Sequence, residues 1–148
     1  MIAPTKQARF AAPRHLWWVG AAGAVWSLIG VAGYLAAETG LAQGVDLPSE
    51  QLNYFENIPA WAVAFWALGV WGSLLGAIAL LFRSRLAVML FAASIIGMLG
   101  TTMYQRAFSD LPQSMQTPGQ NLFAVTIWLV TFALFAYANR MAAKGVLR

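Results

Sequence analysis

The side chains able to do chemistry in this chain of 148 residues gather near the ends of its apolar segments. They are Tyr34 with Glu38 one turn on, Glu56, and the run Tyr104–Gln105–Arg106. Arg106 is the one basic residue in otherwise acidic connections, so Glu38 and Glu56 are its candidate partners. Such a cluster has two uses. It can be a salt bridge that fixes the loops, or an entrance that hydrogen-bonds a polar solute. Other chemistries fail on composition. Cysteine is absent, which removes disulfides, thiolate nucleophiles and Cys-held clusters. The one histidine, His15, cannot form a bis-His haem or a His-based zinc site. No Ser/His/acid set can be assembled, because His15 and the acids fall at opposite ends of the apolar segments. His15 reads as an interfacial residue rather than a ligand or switch. The expectation is a protein with no catalytic residue, no metal and no cofactor.

The elements that must position these residues follow from the gaps between charges. Hydrophobic residues make up 60% of the chain and charged residues 9%, against about 25% charged in a soluble domain. The stretches 15–37, 57–82, 86–105 and 111–139 carry no Asp, Glu, Lys or Arg. Each holds enough apolar residues to cross a hydrocarbon core of about 30 Å as a helix. The prediction is an all-α, integral membrane four-helix bundle, one transmembrane domain over 1–148, with spans at about 16–37, 59–82, 86–105 and 120–139. Outer loops fall at 38–58 and 106–119 and a tight turn at 83–85. An ionisable residue inside a span is the usual mark of ion-coupled transport, and none falls there, which argues against proton or sodium pumping.

Charge also orients the spans. Every Lys and Arg except Arg106 lies in the N-terminal arm (Lys6, Arg9, Arg14), the turn (Arg83, Arg85) or the tail (Arg140, Lys144, Arg148). All the acids (Glu38, Asp46, Glu50, Glu56, Asp110) lie in the other two connections. An excess of Lys/Arg marks the cytoplasmic side, so both termini are expected there, with anionic lipid headgroups rather than nucleic acid satisfying the net charge of +4. The run from Leu16 to Ala37 is too long for a signal-peptide core, and Leu35 or Tyr34 would occupy the position that cleavage needs small. It reads as a retained span. Thr117-Pro118-Gly119-Gln120 fits a capping box with Pro at the first helical position. Pro59 marks the start of the second span, and Thr39–Gly40 closes the first. Pro48 to Phe55, with Leu52 and Phe55 three apart, predicts a short amphipathic helix on the outer interface, with Tyr54 in the aromatic belt.

Small residues fall on one face of three spans: Gly20, Gly23, Ser27 and Gly30 in the first, Ala62, Gly69, Gly72 and Gly76 in the second, and Ala93, Gly97 and Gly100 in the third. These glycines predict close helix packing, either within the chain or as the seam of a dimer. The fourth span has no Gly between Gln120 and Asn139, so three spans should pack tightly and the fourth more peripherally. Trp17, Trp18 and Trp61 read as interface anchors. Trp26, Trp66, Trp71 and Trp128 lie deeper and call for polar neighbours such as Ser27, Ser73 or Thr126. Bundle cores fill with side chains, so one copy is expected to enclose no solute path, and a transporter would place its path between protomers.

The block Tyr54–Phe55, Pro59-Ala60-Trp61-Ala62-Val63-Ala64-Phe65-Trp66-Ala67-Leu68-Gly69-Val70-Trp71-Gly72 and Arg83-Ser84-Arg85 resembles a recurrent family of small bacterial four-span membrane proteins labelled "sugar transporter". The likeness runs from His15-Leu16-Trp17 to Gly145-Val146-Leu147-Arg148. It implies a bacterial inner-membrane protein, and supplies no catalytic or binding residues. Two functions are compatible with these readings. The first is a non-enzymatic small subunit or interaction protein, associating through helix–helix contacts with itself or another membrane protein in the bilayer. The alternative is a homo-oligomeric facilitator of a small neutral solute such as a sugar, for which the spans offer mainly Ser27, Ser73, Ser94, Thr101, Thr102, Thr126, Thr131 and tyrosines.

Overall fold

A computed structural model describes residues 11–44 and 46–148 of the chain. Lys6 and Arg9, two of the charges used for orientation, lie outside the described residues. The elements are α1 (Arg14–Glu38), α2 (Ser49–Glu56), α3 (Ala60–Leu81), α4 (Leu86–Met103) and α5 (Pro118–Ala143), with short 3₁₀ turns at Leu41–Gly44 and Gln113–Met115. No strand occurs among the described residues. Four helices, α1, α3, α5 and α4 with its continuation to Phe108, are long and apolar enough to cross a membrane. The chain is therefore an all-α integral membrane protein.

The helix ends follow local chemistry. Thr117 caps α5, its Oγ1 accepting from the Gln120 N–H at 3.3 Å with Pro118 at the first helical position. Pro59 precedes α3, and α2 forms where the Pro48 to Phe55 pattern placed it. α4 departs from expectation. Instead of stopping at 105, its backbone relaxes into a π turn over Tyr104–Phe108, which rotates the following side chains relative to an α-helical course.

α3 is the corner of the bundle. Gly69, Gly72 and Gly76 meet α4, whereas Val70, Ser73, Ala77 and Leu81 meet α1; at 3.6 residues per turn those faces are roughly 110° apart. The α3–α4 contact is backbone on backbone. A Cβ added at Gly97 would overlap the Gly69 backbone, and one at Gly72 would lie 3.1 Å from the Leu90 carbonyl oxygen. Gly76 and Gly100 receive the rings of Phe91 and Phe65. Gly20 and Gly23 make room for Leu81 and for Leu134 of α5. Buried hydroxyls tie the same seams: Ser27 and Ser73 share a bond of 2.8 Å, and Ser94 Oγ donates to the Gly69 carbonyl at 2.6 Å. These serines therefore bond to each other and to backbone, not to the deep tryptophans.

The core lies at one end. Leu16, Ala77, Leu80, Ala87, Phe91, Leu134, Ala138, Met141, Val146 and Leu147 form a single buried cluster where α1 and α4 begin and α3 and α5 finish. The tail completes it. Gly145, at φ +70°, reverses the chain so that the Val146 N–H reaches the Met141 carbonyl at 2.9 Å and the Gly145 N–H reaches Ala142 at 3.0 Å. This Schellman arrangement places Val146 over Met141. The α3 end is built alike, with Ser84 N–H on Ala79 at 2.8 Å and Arg83 at φ 58°. Tail and turn then pair: Arg148 N–H donates to Arg83 O at 2.7 Å and Arg85 N–H to Arg148 O at 2.8 Å. Arg83 and Arg85, read above as topology signals, also donate through Nε to the Val146 and Leu147 carbonyls.

Candidate ligand cavity

At the end away from that core the bundle opens. α1 and α5 touch through Gly23 and Leu134, through the His15–Tyr137 hydrogen bond, and last through Trp26 and Phe123, whose ring centroids are 6.0 Å apart. Beyond this point a Cβ added at Gly33 would meet nothing within 4 Å, and every residue from Gln120 to Val125 on α5 is exposed. Between the four helices lies a cavity of about 610 Å³. The expectation that side chains fill the space between the helices is therefore corrected at this end. The physical reason is bulk on α5. With no glycine between Gln120 and Asn139 to let it approach α3, α5 stands off, and Trp26, Trp66 and Trp128 line the resulting space instead of filling it.

Two kinds of surface line the cavity. The wall is apolar, formed by the three indoles with Ile29, Val70 and Met98. Most of its hydroxyls are already engaged: Ser27 with Ser73, Ser94 with Gly69 O, Thr101 with Gly97 O at 2.9 Å, Thr131 with Ile127 O at 2.9 Å; Thr102 lines it as well. The rim carries Gln105, Arg106, Gln120 and Asn121. Asn121 Nδ2 makes a long bond of 3.4 Å to the Gln116 carbonyl. Arg106 forms no ion pair among the described residues, and it is the one charged side chain among the described lining residues. A cavity of this volume is within the range of small-molecule sites, about 300–1,000 Å³.

The outer polar cluster read from the sequence is only partly assembled. Gln105 and Arg106 reach the cavity, whereas Glu38 and Glu56 do not line it. Tyr34 packs edge-on against Trp66 at 5.2 Å, and Trp66 in turn stacks on Phe55 of α2 at 6.0 Å. Tyr104 is buried between Tyr54 and Trp61, at 6.4 and 5.4 Å. The two tyrosines thus belong to an aromatic layer under α2 and not to a shared polar site. Trp61, read as an interface anchor, joins that layer through Tyr104 and Phe108 while staying 45% exposed. Tyr54 is half-buried rather than lying free in a headgroup belt. Burial pushes its phenol above the ordinary value, its hydrogen bond with Ser109 opposes the rise and nearby Tyr104 adds to it. Beneath α2, a crevice of about 30 Å³ between Tyr54, Tyr104 and Gln105 has room for about one or two waters.

Sequence reading missed the cavity itself. Its one available signal was the contrast between three glycine-striped spans and a fourth with none, since only spans with matched small faces can close on all sides. Comparison with known protein families, with curated proteins and with solved structures finds no match to the chain.

Proposed function

We propose that this integral membrane protein binds a small organic ligand in the cavity between its four spans and acts as a facilitator for it, without ion coupling and without catalysis. The observation that carries this reading is the cavity of about 610 Å³, closed at one end by the Leu16–Phe91–Leu147 core and open at the other. Its described lining includes hydroxyls, amides and one guanidinium, and offers no nucleophile–base pair. Because the cavity lies inside one chain, a binding site between protomers is not required by packing. The distribution of Lys and Arg supports cytoplasmic termini and hence a mouth on the outer side. The likeness to small bacterial four-span proteins labelled sugar transporters supports an inner-membrane location and makes sugars the first neutral solutes to test.

The second reading, a small subunit that associates with another membrane protein, is favoured by the first turns of α5, exposed from Gln120 to Val125. Flux separates the two. Purified protein in liposomes is expected to release a cavity-sized solute faster than empty liposomes do, and Trp26→Ala with Trp128→Ala should slow that release. A panel of sugars and lipid-like solutes that all cross at the empty-liposome rate would leave only the subunit reading.

A further inference from the structure

We propose that the ligand of this cavity is a single-chain amphiphile with a carboxylate head, taken sideways from the leaflet at the open end. The proposal deepens the preceding reading and rests on the cavity being a ligand site. Three observations converge on it.

First, polarity in the cavity is graded. Of the hydroxyls along the wall, Ser94, Thr101, Thr131 and one of the Ser27–Ser73 pair already donate to protein oxygens, which leaves Thr102 and the other serine of the pair, so deep in the cavity a sugar would lose most of its water hydrogen bonds and regain few. An alkyl chain loses nothing there, and the rings of Trp26, Trp66 and Trp128 give it a wall of large apolar area. Second, the charge is single and sits at the rim. Arg106 lines the cavity with no ion pair among the described residues, and Gln105 and Gln120 line the same space. A planar guanidinium matches a carboxylate with two parallel hydrogen bonds, and flanking amides can complete its lone pairs. One cation balances one negative charge, which favours a carboxylate over a doubly charged phosphate. Third, the opening faces sideways. Past the Trp26–Phe123 contact, Gly30 and Gly33 of α1 are exposed, an added Cβ meeting only Val70 of α3 at the first and nothing within 4 Å at the second, and Ile29 and Phe123 at its edges are more than half exposed. In a bilayer these residues would border hydrocarbon, so a lipid chain can slide in while its head travels along the interface to Arg106.

The test uses the full chain in phosphatidylcholine nanodiscs with palmitate carrying a diazirine in its chain, its methyl ester, and plain palmitate as competitor. Adducts are mapped by peptide mass spectrometry. The expected result is saturable labelling of Met98, Phe123 and Ile127, displaced by palmitate, with the methyl ester binding more weakly. Arg106→Gln, whose fold is checked by circular dichroism, should weaken the saturable labelling about ten- to a hundred-fold.

Labelling confined to the outward residues Leu122, Val125 and Leu129, without saturation, overturns the amphiphile. Equal labelling by acid and ester, or no effect of Arg106→Gln, overturns the carboxylate. If glucose or maltose protects the cavity residues or crosses in the flux assay while palmitate does neither, this inference falls and the ligand-binding reading stands. If no solute of either kind binds or crosses, both fall.

Discussion

Replacing Gly97 with Ala tests the seam on which the whole bundle is hung. A Cβ there would lie 2.6 Å from the Phe65 carbonyl oxygen and closer still to the Gly69 backbone. Both obstacles are main chain, so no rotamer change relieves them, and α3 and α4 must separate by roughly 1 Å to restore van der Waals contact. Overpacking of this kind costs about 3 kcal/mol at the upper end of its usual range. The separation also stretches the 2.6 Å bond from Ser94 Oγ to Gly69 O beyond useful length, a loss of about 0.6 kcal/mol for an interhelical bond in a membrane. Against this, Ala gains about 1 kcal/mol over Gly in helix propensity. The net expectation is a destabilisation of about 2–3 kcal/mol. Two other glycines serve as internal controls. At Gly69 the added Cβ would be 3.5 Å from its nearest neighbour, an ordinary contact, and at Gly33 nothing lies within 4 Å. Gly69→Ala should be near neutral and Gly33→Ala stabilising by up to about 1 kcal/mol. The assay is reversible unfolding in mixed micelles titrated with dodecyl sulfate. If Gly97→Ala unfolds at the same point as Gly33→Ala, the α3–α4 seam is not in backbone contact and the packing account is wrong.

Leu147 is 1% exposed in the core at the closed end, so Leu147→Ala should cost about 2–4 kcal/mol in the same assay; a tail that merely hangs from α5 would show no effect. Because the chain has no cysteine, single-Cys labelling reads topology cleanly. Asp46→Cys should react with a membrane-impermeant maleimide in intact cells and Lys144→Cys only after lysis, and the reverse pattern would invert the proposed orientation. Tyr54 gives a pH prediction. Its phenol is raised in the folded state, chiefly by burial, so its contribution is fully present below the unfolded value of about 10. That contribution is lost as pH rises through the folded value, where the unfolded state releases the proton first. Tyr54→Phe should therefore lose less stability than the wild type between pH 8 and pH 11; identical slopes would place Tyr54 in a water-like setting.

Much of the fold was legible because the membrane makes sequence explicit. A span needs an uncharged apolar run of fixed length, so the four gaps between charges located α1, α3, α4 and α5, and Thr117–Pro118 placed the start of α5 to the residue. Pro48 and the Leu52/Phe55 spacing were enough for α2. The glycines also announced close approach, since no other residue lets backbones touch. What they could not announce was the partner. Gly72 and Gly76 read first as packing within the chain and second as a dimer seam, and the fold turns them onto Leu90, Ser94 and Phe91 of the same chain. The site was less legible. Gln105 and Arg106 were named for their residue types, but their neighbours were not. The acids chosen as partners do not line the cavity, and Gln120 and Asn121, remote in sequence, do. A π turn at Tyr104–Phe108 and the fold-back of Val146–Arg148 leave no periodic signature at all.

By itself, then, the sequence determined that this chain crosses a membrane as helices, where the helices start, and that four long apolar runs carry no Asp, Glu, Lys or Arg. These are properties of single segments against a solvent, set by the cost of exposing charge or backbone to hydrocarbon. Tertiary structure alone decided that the helices close at one end and part at the other. That depends on how far α5 can approach α3, a balance among Trp26, Trp66, Trp128 and Leu134 from different spans that no single segment encodes.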